Sequence, residues 1–308
     1  MRPFWSLPPS FADLAPEAKD KRILIVANPT SGGYRPKNLE KILGYLKEAG
    51  CQVSIRLTTR AGEIGDIASD TNLAVNLLVI AGGDGSVNEA LTGFQNNAAA
   101  PDLAVIPSGT ANVLAHELGL PKRPAAIARA ILNHRTQPLH FGLANGRPFV
   151  LMASAGFDAE VVHGIPLALK RKFGKLAYVY TALKIGMTRR SSDLTIDVDG
   201  EHLTGKLAVA TNGRFYGGPF VVCPNASVTT QGLHVLVLKK DDPVSALRFG
   251  IALMVGRVHK AKGVTVTAFK KARFLAANPV AAQIDGDPFG ATPVILEAAQ
   301  DNLTIVVP

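Results

Sequence analysis

Leu77–Leu91 reads LLVIAGGDGSVNEAL. An uncharged apolar run passes into two glycines, an aspartate and a third glycine, and then into a helix-like pattern. Leu77–Ala81 has the character of a buried strand and Val87–Leu91 that of a helix. Between them, Gly82, Gly83 and Gly85 lose much entropy on ordering and give the core no side chain. A strand feeding a glycine turn and then a helix is the repeating unit of a parallel α/β sheet. Its bare backbone amides are suited to holding a phosphate. Asp84 is not a direct phosphate ligand, but it can orient a magnesium ion or a water beside one. Ser86 can cap the helix or bond a phosphate oxygen. The stretch is neither a Walker A loop nor a GxGxxG fingerprint.

The same alternation extends outward through the first half. RILIVANP (Arg22–Pro29), QVSIRLTT (Gln52–Thr59) and DLAVIPSG (Asp102–Gly109) read as strands. NLEKILGYLKEAG (Asn38–Gly50), GEIGDIASD (Gly62–Asp70), NVLAHELGL (Asn112–Leu120) and PAAIARAILN (Pro124–Asn133) read as helices. This order predicts an open, mostly parallel sheet with helices on both faces. Ligands of such sheets bind beyond the carboxyl ends of the strands. NPTSGG (Asn28–Gly33), GGDGS, PSGT and the Thr58–Thr59 pair all fall there. Each alone reads as a turn; together on one edge they read as a nucleotide pocket.

The second half changes character. PLHFGLANGRPFVLMASAGF, LTIDVDGEHLTGKLAVATNG, GLHVLVLKK, GVTVTAFKKARFLAA and NLTIVVP are short β-like pieces separated by ANG, DG and NG turns. They predict antiparallel hairpins in a sandwich-like domain. Val161–Met187 is the expected helical exception. The division expected is an α/β domain over 1–138 and a β-rich domain over 139–292. The last strand, 293–308, is expected to pack back on the first domain.

The 308 residues suffice for two such domains, and 47% hydrophobic with 19% charged residues argues against disorder. No uncharged apolar run reaches the ~20 residues of a membrane span. The first 22 residues lack a continuous apolar core and read as a loose leader, so a cytoplasmic location is expected. Cys51 and Cys223 read as two separate buried thiols. Net charge is +9, with 14 Lys and Arg against 12 Asp and Glu through Pro138, and 19 against 12 after it. That balance favours an anionic partner. With 6% aromatic residues and no nucleic-acid motif, a nucleic acid is not expected. The seven histidines show no metal-ligand spacing.

NPTSGG, GGDGSVNEAL, PSGTANVLAHELGLP (Pro107–Pro121), GFDAEVV (Gly156–Val162), NGRFYGGPFVVCPNA (Asn212–Ala226) and QIDGDPF (Gln283–Phe289) occur in this order. In this series the chain resembles the diacylglycerol kinase catalytic-domain family, which includes bacterial lipid kinases, diacylglycerol kinases, sphingosine kinases and ceramide kinases. The resemblance implies a two-domain, Mg·ATP-dependent lipid kinase with its active-site cleft between an α/β and a β-sandwich-like domain. It carries nucleotide contacts onto Asn28, Pro29, Ser31, Gly32, Thr58, Gly82, Gly83, Asp84, Gly85, Ser86, Asn88, Glu89, Ser108, Gly109, Thr110 and Asn112. It places the catalytic base on Asp285, with Asp84 as rival and as candidate ligand of the ATP-associated Mg²⁺. It also counts Asp287 among the ATP contacts; Asp287 stands where the family has glutamate, one methylene shorter, so a weaker or water-bridged contact to nucleotide or metal is expected. Gln231, in TTQGLHVL (Thr229–Leu236), stands where relatives with a structural Mg²⁺ site carry aspartate, so that second metal is not expected.

The substrate implied is a membrane lipid, with diacylglycerol first and a sphingoid base next. A nucleotide-binding regulator without catalysis, and less so an NAD kinase, are the competing readings. The basic, aromatic-interleaved stretch Leu169–Arg190 reads either as an anionic-membrane contact, placing the protein on the inner face of the membrane, or as a solvated helix pair. A homodimer is a further possible partner state. Read without the family, Asp285 in IDGD is a hairpin turn residue.

Overall fold

The computed structural model describes residues 11, 19–95, 97, 99–156, 192–240 and 242–308. They divide into two compact units. One comprises 1–109, 118–138 and 303–308, the other 110–117 and 139–302.

The first unit is the expected α/β sheet. β1 (Arg22–Ala27), β2 (Gln52–Leu57), β3 (Leu77–Gly82) and β4 (Asp102–Pro107) lie in the order β2-β1-β3-β4, every pair parallel. The C-terminal strand Leu303–Val307 adds in parallel to β4, and β5 (Arg135–Leu139) follows it. Between the strands run α1 (Pro36–Glu48), α2 (Glu63–Ala68), α3 (Asp84–Phe94) and, after α4 (Val113–Glu117), α5 (Pro124–Asn133). β3 is buried at every position because both faces of the sheet are covered. Ile23, Ile25, Leu77 and Val79 meet Leu39, Ile42 and Leu46 of α1 and Ile127 and Ile131 of α5 in one core. Phe11 is buried in this core as well, stacked on Tyr45 at 4.2 Å between centroids. The rest of the expected leader, up to residue 18, lies outside the described residues.

The second unit holds two six-stranded sheets. One orders Glu201–Gly205, Leu194–Val198, Lys271–Leu275, Val294–Ala298, Gly142–Ala144 and Arg147–Phe149. The other orders Val264–Phe269, Leu233–Leu238, Leu207–Thr211, Met152–Gly156, Ala281–Ile284 and Asp287–Ala291. All these neighbours are antiparallel. Ile196, Phe274 and Leu296 of one sheet share a core with Ala210, Val235 and Ile284 of the other, which makes the unit a sandwich. Asn145-Gly146, Asp199-Gly200 and Asp285-Gly286 each have positive φ at both residues and close a two-residue hairpin.

Three expectations need correction. The last sixteen residues are not one returning strand: Val294–Ala298 pairs within the sandwich, and only Leu303–Val307 enters the first sheet. Arg135–Leu139, whose end had read as the start of the β-rich half, is a strand of the first sheet. The β-rich half also contains a helix that the period did not betray, α6 (Pro243–Met254). Its sequence, PVSALRFGIALM, is apolar nearly all round, so it shows no amphipathic stripe. Its start was readable: Asp242 caps it, accepting from the Ser245 amide at 3.1 Å, with Pro243 at the first position. Val161–Met187 lies outside the described residues.

Candidate functional site

In the first unit the expected pocket residues gather at the carboxyl edge of the sheet. The Asn28 amide donates to Ala81 carbonyl oxygen at 3.0 Å, and the Thr58 amide to Ala27 at 2.9 Å. The Ser108 amide donates to Gly82 at 2.9 Å, and the Gly33 amide to Ser108 at 2.7 Å. The turns after β1, β3 and β4 are thereby tied to one another. Asn28 Oδ1 accepts from the Thr30 amide at 2.9 Å and the Thr30 hydroxyl at 2.7 Å, which shapes the turn carrying Pro29, Ser31 and Gly32. Thr58 is buried, and the turn after it is held by Glu63, which accepts from the Thr59 amide at 2.7 Å. That amide holds the Glu63 carboxyl below the usual carboxylate range.

GGDGS is not a loop. β3 ends at Gly82, α3 begins at Asp84, and Gly83 alone connects them. Asp84, Gly85 and Ser86 form the first helical turn, and Ser86 and Asn88 are buried beneath it, with Glu89 partly buried. The first amides of a helix carry the positive end of its dipole; here the Ser86 amide already donates to the Gly83 carbonyl at 3.0 Å, so the amides that precede it are the ones a ligand would meet. The chemistry of this edge is therefore that of an anion cradle, the donor set a phosphate chain needs.

The reason for the glycines differs from the one the sequence suggested. A Cβ on Gly82 would fall inside contact distance of Ser86 Cβ and Oγ. One on Gly83 would stand 3.0 Å from the Gly109 Cα, and one on Gly33 2.9 Å from the Ser108 carbonyl oxygen. Bare backbone is needed here first because the turns touch each other.

Thr110 and Asn112 belong with the second unit, where Asn112, at φ +48°, precedes α4. At the end of α4, Glu117 has a side chain only 1% exposed. It accepts from the Phe215 amide at 2.6 Å, and its other oxygen lies 3.6 Å from Arg214 Nε. Gly213 leaves the room that Glu117 occupies. Burial pushes the Glu117 carboxyl up from its ordinary 4.5, against the pull of the Phe215 amide and Arg214. Because its folded pKa exceeds its unfolded one, its stabilising contribution is complete below pH 4.5 and is lost as pH rises through the folded value. The stability advantage of wild type over Glu117→Gln, measured by denaturant unfolding across this range, is expected to shrink with rising pH. An advantage that grows would mean that the amide and guanidinium outweigh burial.

Asp285 is the hairpin residue that turn chemistry requires, and it is more than that. Its Oδ1 accepts from the Leu151 and Met152 amides at 2.8 and 2.9 Å, and its Oδ2 from the Val150 amide at 2.8 Å. The Asp285 amide returns to the Met152 carbonyl at 2.9 Å. Asn212 grips two of the same residues, Val150 and Leu151, together with His140. Its Nδ2 donates to Val150 and His140 carbonyls at 2.8 and 2.7 Å, and its amide donates to Leu151 at 2.8 Å. Asn212 Oδ1 is buried without a partner among the described residues. Two motifs far apart in sequence thus close on Val150–Met152. Asn212 and Glu117 were missed as site residues, although both lie inside the motif segments NGRFYGG and HELGLP.

Asp287 opens the following strand and is exposed, as is Gln231. Among the described residues no three His, Cys, Asp or Glu side chains converge on a metal position. Cys51 and Cys223 are both buried, and burial raises both thiols. Asp158 and Leu169–Arg190 lie outside the described residues.

Comparison with known proteins gives this geometry its relatives. Residues 22–144 match the model of the diacylglycerol kinase catalytic domain, and residues 152–307 that of the YegS C-terminal NAD kinase beta sandwich-like domain. The diacylglycerol kinase of Bacillus subtilis is 28% identical over 94% of this chain and 97% of its own length. A protein of Pseudomonas putida described as "Probable lipid kinase YegS-like" is 32% identical over 69% of this chain and 73% of its own. A solved chain from Bacillus anthracis strain Sterne, described under the diacylglycerol kinase name, shares the fold. Its TM-score is 0.79 at 24% identity, over 94% of this chain and 96% of that one.

Proposed function

This chain belongs to the diacylglycerol kinase and YegS-like lipid kinase family, and we propose that it transfers the γ-phosphate of Mg·ATP to the primary hydroxyl of diacylglycerol, giving phosphatidic acid. The observation that carries the nucleotide half is the carboxyl edge of the first sheet, where backbone hydrogen bonds tie the glycine-bearing turns after β1, β3 and β4 to one another beside the start of α3. The names of the relatives support the lipid half.

Phosphoryl transfer asks a protein mainly to position and to neutralise charge. The amides at the start of α3 would hold phosphate oxygens, with Asn28 and Ser31 shaping the facing turn. Asp84, at the first position of α3, would orient the Mg²⁺ that arrives with ATP, directly or through water. The lipid hydroxyl oxygen attacks the γ-phosphorus, the bond from that phosphorus to the β-phosphate oxygen breaks, and ADP leaves. The hydroxyl proton passes to a carboxylate, for which Asp285 is the candidate.

One observation favours a second assignment of that proton. A carboxylate has about four acceptor positions, and three backbone amides already bind Asp285. The base role asks it to take the hydroxyl beside them; otherwise Asp285 positions Val150–Met152 and Asp84 is the base. The test is transfer of labelled γ-phosphate to diacylglycerol, a sphingoid base and other hydroxylated lipids in anionic mixed micelles, with Asp84→Asn and Asp285→Asn alongside. Label in diacylglycerol alone, lost in Asp285→Asn, is the expected result. Label in another lipid renames the substrate. Label in none, with ATP still bound, leaves a nucleotide-binding protein without lipid kinase activity.

A further inference from the structure

The hairpin between Leu233–Leu238 and Val264–Phe269 is closed by a long helical excursion, Lys239–Gly263, in place of a turn. Its two ends are held together, the Lys239 amide donating to the Gly263 carbonyl at 2.9 Å. α6 and a short 3₁₀ turn, Val258–Lys260, form its body, joined by an Arg257 amide to Ala252 carbonyl bond of 2.7 Å.

The outer face of α6 is unusual for a helix in water. Val244, Arg248, Ile251 and Val255 recur at the four- and three-residue steps of one helical face. Val244, Ile251 and Val255 are 55%, 53% and 62% exposed, and the neighbouring Met254 is 76% exposed. A solvated helix places polar residues there; here the only polar side chain of the four is Arg248. The rim is basic. Lys239, Lys240, Arg248, Arg257, Lys260 and Lys262 are all exposed. The acids of the excursion are Asp241 and Asp242, and Asp242 is engaged as the helix cap. This one excursion thus supplies +4 of the chain's +9.

We propose that α6 docks on an anionic lipid bilayer, with Val244, Ile251, Met254 and Val255 entering the headgroup–acyl boundary and the six basic side chains facing the acidic lipids. Exposed apolar side chains in an excursion with six exposed basic ones match the chemistry of that interface: the apolar ones leave water, and the long basic ones reach back to the lipid phosphates. A protein partner would need acidic groups around an apolar groove, and nothing in the helix asks for a groove. The proposal rests on the lipid-kinase reading for its purpose, since a lipid substrate must be met at its membrane, but vesicle binding can be measured without any reaction.

The experiment is flotation of the whole protein with vesicles of phosphatidylcholine alone or mixed equally with phosphatidylglycerol, at low and high salt. Wild type, Ile251→Ser/Met254→Ser and Lys260→Glu/Lys262→Glu are compared. Wild type is expected to bind the mixed vesicles at low salt, and each double variant to bind them about tenfold more weakly or less. Both variants change exposed side chains and are expected to melt as wild type does. A local readout comes from Ile251→Trp in a chain whose single tryptophan is Trp5: its added emission is expected to shift to shorter wavelength with vesicles and to be quenched by brominated lipid. Variants that float like wild type, or an added emission in Ile251→Trp that vesicles leave unmoved, would overturn the proposal. So would loss of self-association in Ile251→Ser/Met254→Ser with vesicle binding intact, which would make this face a contact between two copies. Turnover of a short-chain, water-soluble diacylglycerol separates the two readings. If it is absent while vesicle binding depends on α6, the kinase reading fails alone; if it is present while binding ignores α6, the docking surface fails alone.

Discussion

Asp285→Asn is expected to lower lipid phosphorylation by about 10²-fold or more, the usual cost of removing a proton acceptor, and also to lower stability. The second effect follows from geometry. Asn keeps one acceptor oxygen, which can serve the Leu151 and Met152 amides, but its NH₂ then faces the Val150 amide, donor against donor. A buried donor left unpaired costs about 1–3 kcal/mol. Loss of activity in this variant is therefore informative only beside its unfolding curve and its ATP affinity. A variant that is folded, binds ATP and does not turn over supports Asp285 as the base. A variant that is less stable yet turns over at more than a tenth of the wild-type rate makes Asp285 a clamp on Val150–Met152 and moves the proton to Asp84.

The second large effect is expected at Gly82. Gly82→Ala forces its new methyl into Ser86, in the first turn of α3, and something must move. Overpacking of this kind costs about 1–3 kcal/mol, and what moves is the start of the helix proposed to cradle the phosphates. Both stability and ATP affinity are expected to fall. Ser86→Gly removes the obstructing atoms at the ordinary cost of glycine in a helix, about 1 kcal/mol. The double variant is therefore expected to be more stable than the sum of the two single changes, a coupling that a double-mutant cycle reads directly. Additive losses would show that Gly82 answers to some other neighbour. Gly83→Val is a poorer probe of phosphate binding, because its side chain meets Gly109 before it meets any ligand.

Much of the scaffold was legible in the residues because the signals are local. Leu77–Ile80 and Ile23–Val26 are continuous apolar runs, which a doubly covered parallel strand requires. Asn145-Gly146, Asp199-Gly200 and Asp285-Gly286 are dipeptides that accept positive φ and so announce their hairpins. The gathering of NPTSGG, GGDG and PSGT on one edge followed from strand direction alone, since every strand that feeds them is parallel. Helix α6 was not legible by the same rule: a helix apolar on both faces has no period to detect, and its outer face lacks a protein core to explain it.

The sequence by itself thus determined where backbone turns, which runs are buried and which way the strands point, because those depend on residues a few positions apart. The tertiary structure decided what the special residues touch. Asp285 meets the Val150 amide 135 positions away, Glu117 meets Phe215 across 98, and the last two strands divide between two sheets. Such contacts depend on the register of whole sheets. A one-residue slip in a strand turns every side chain to the opposite face, so these pairings exist only once the sandwich core has selected its register.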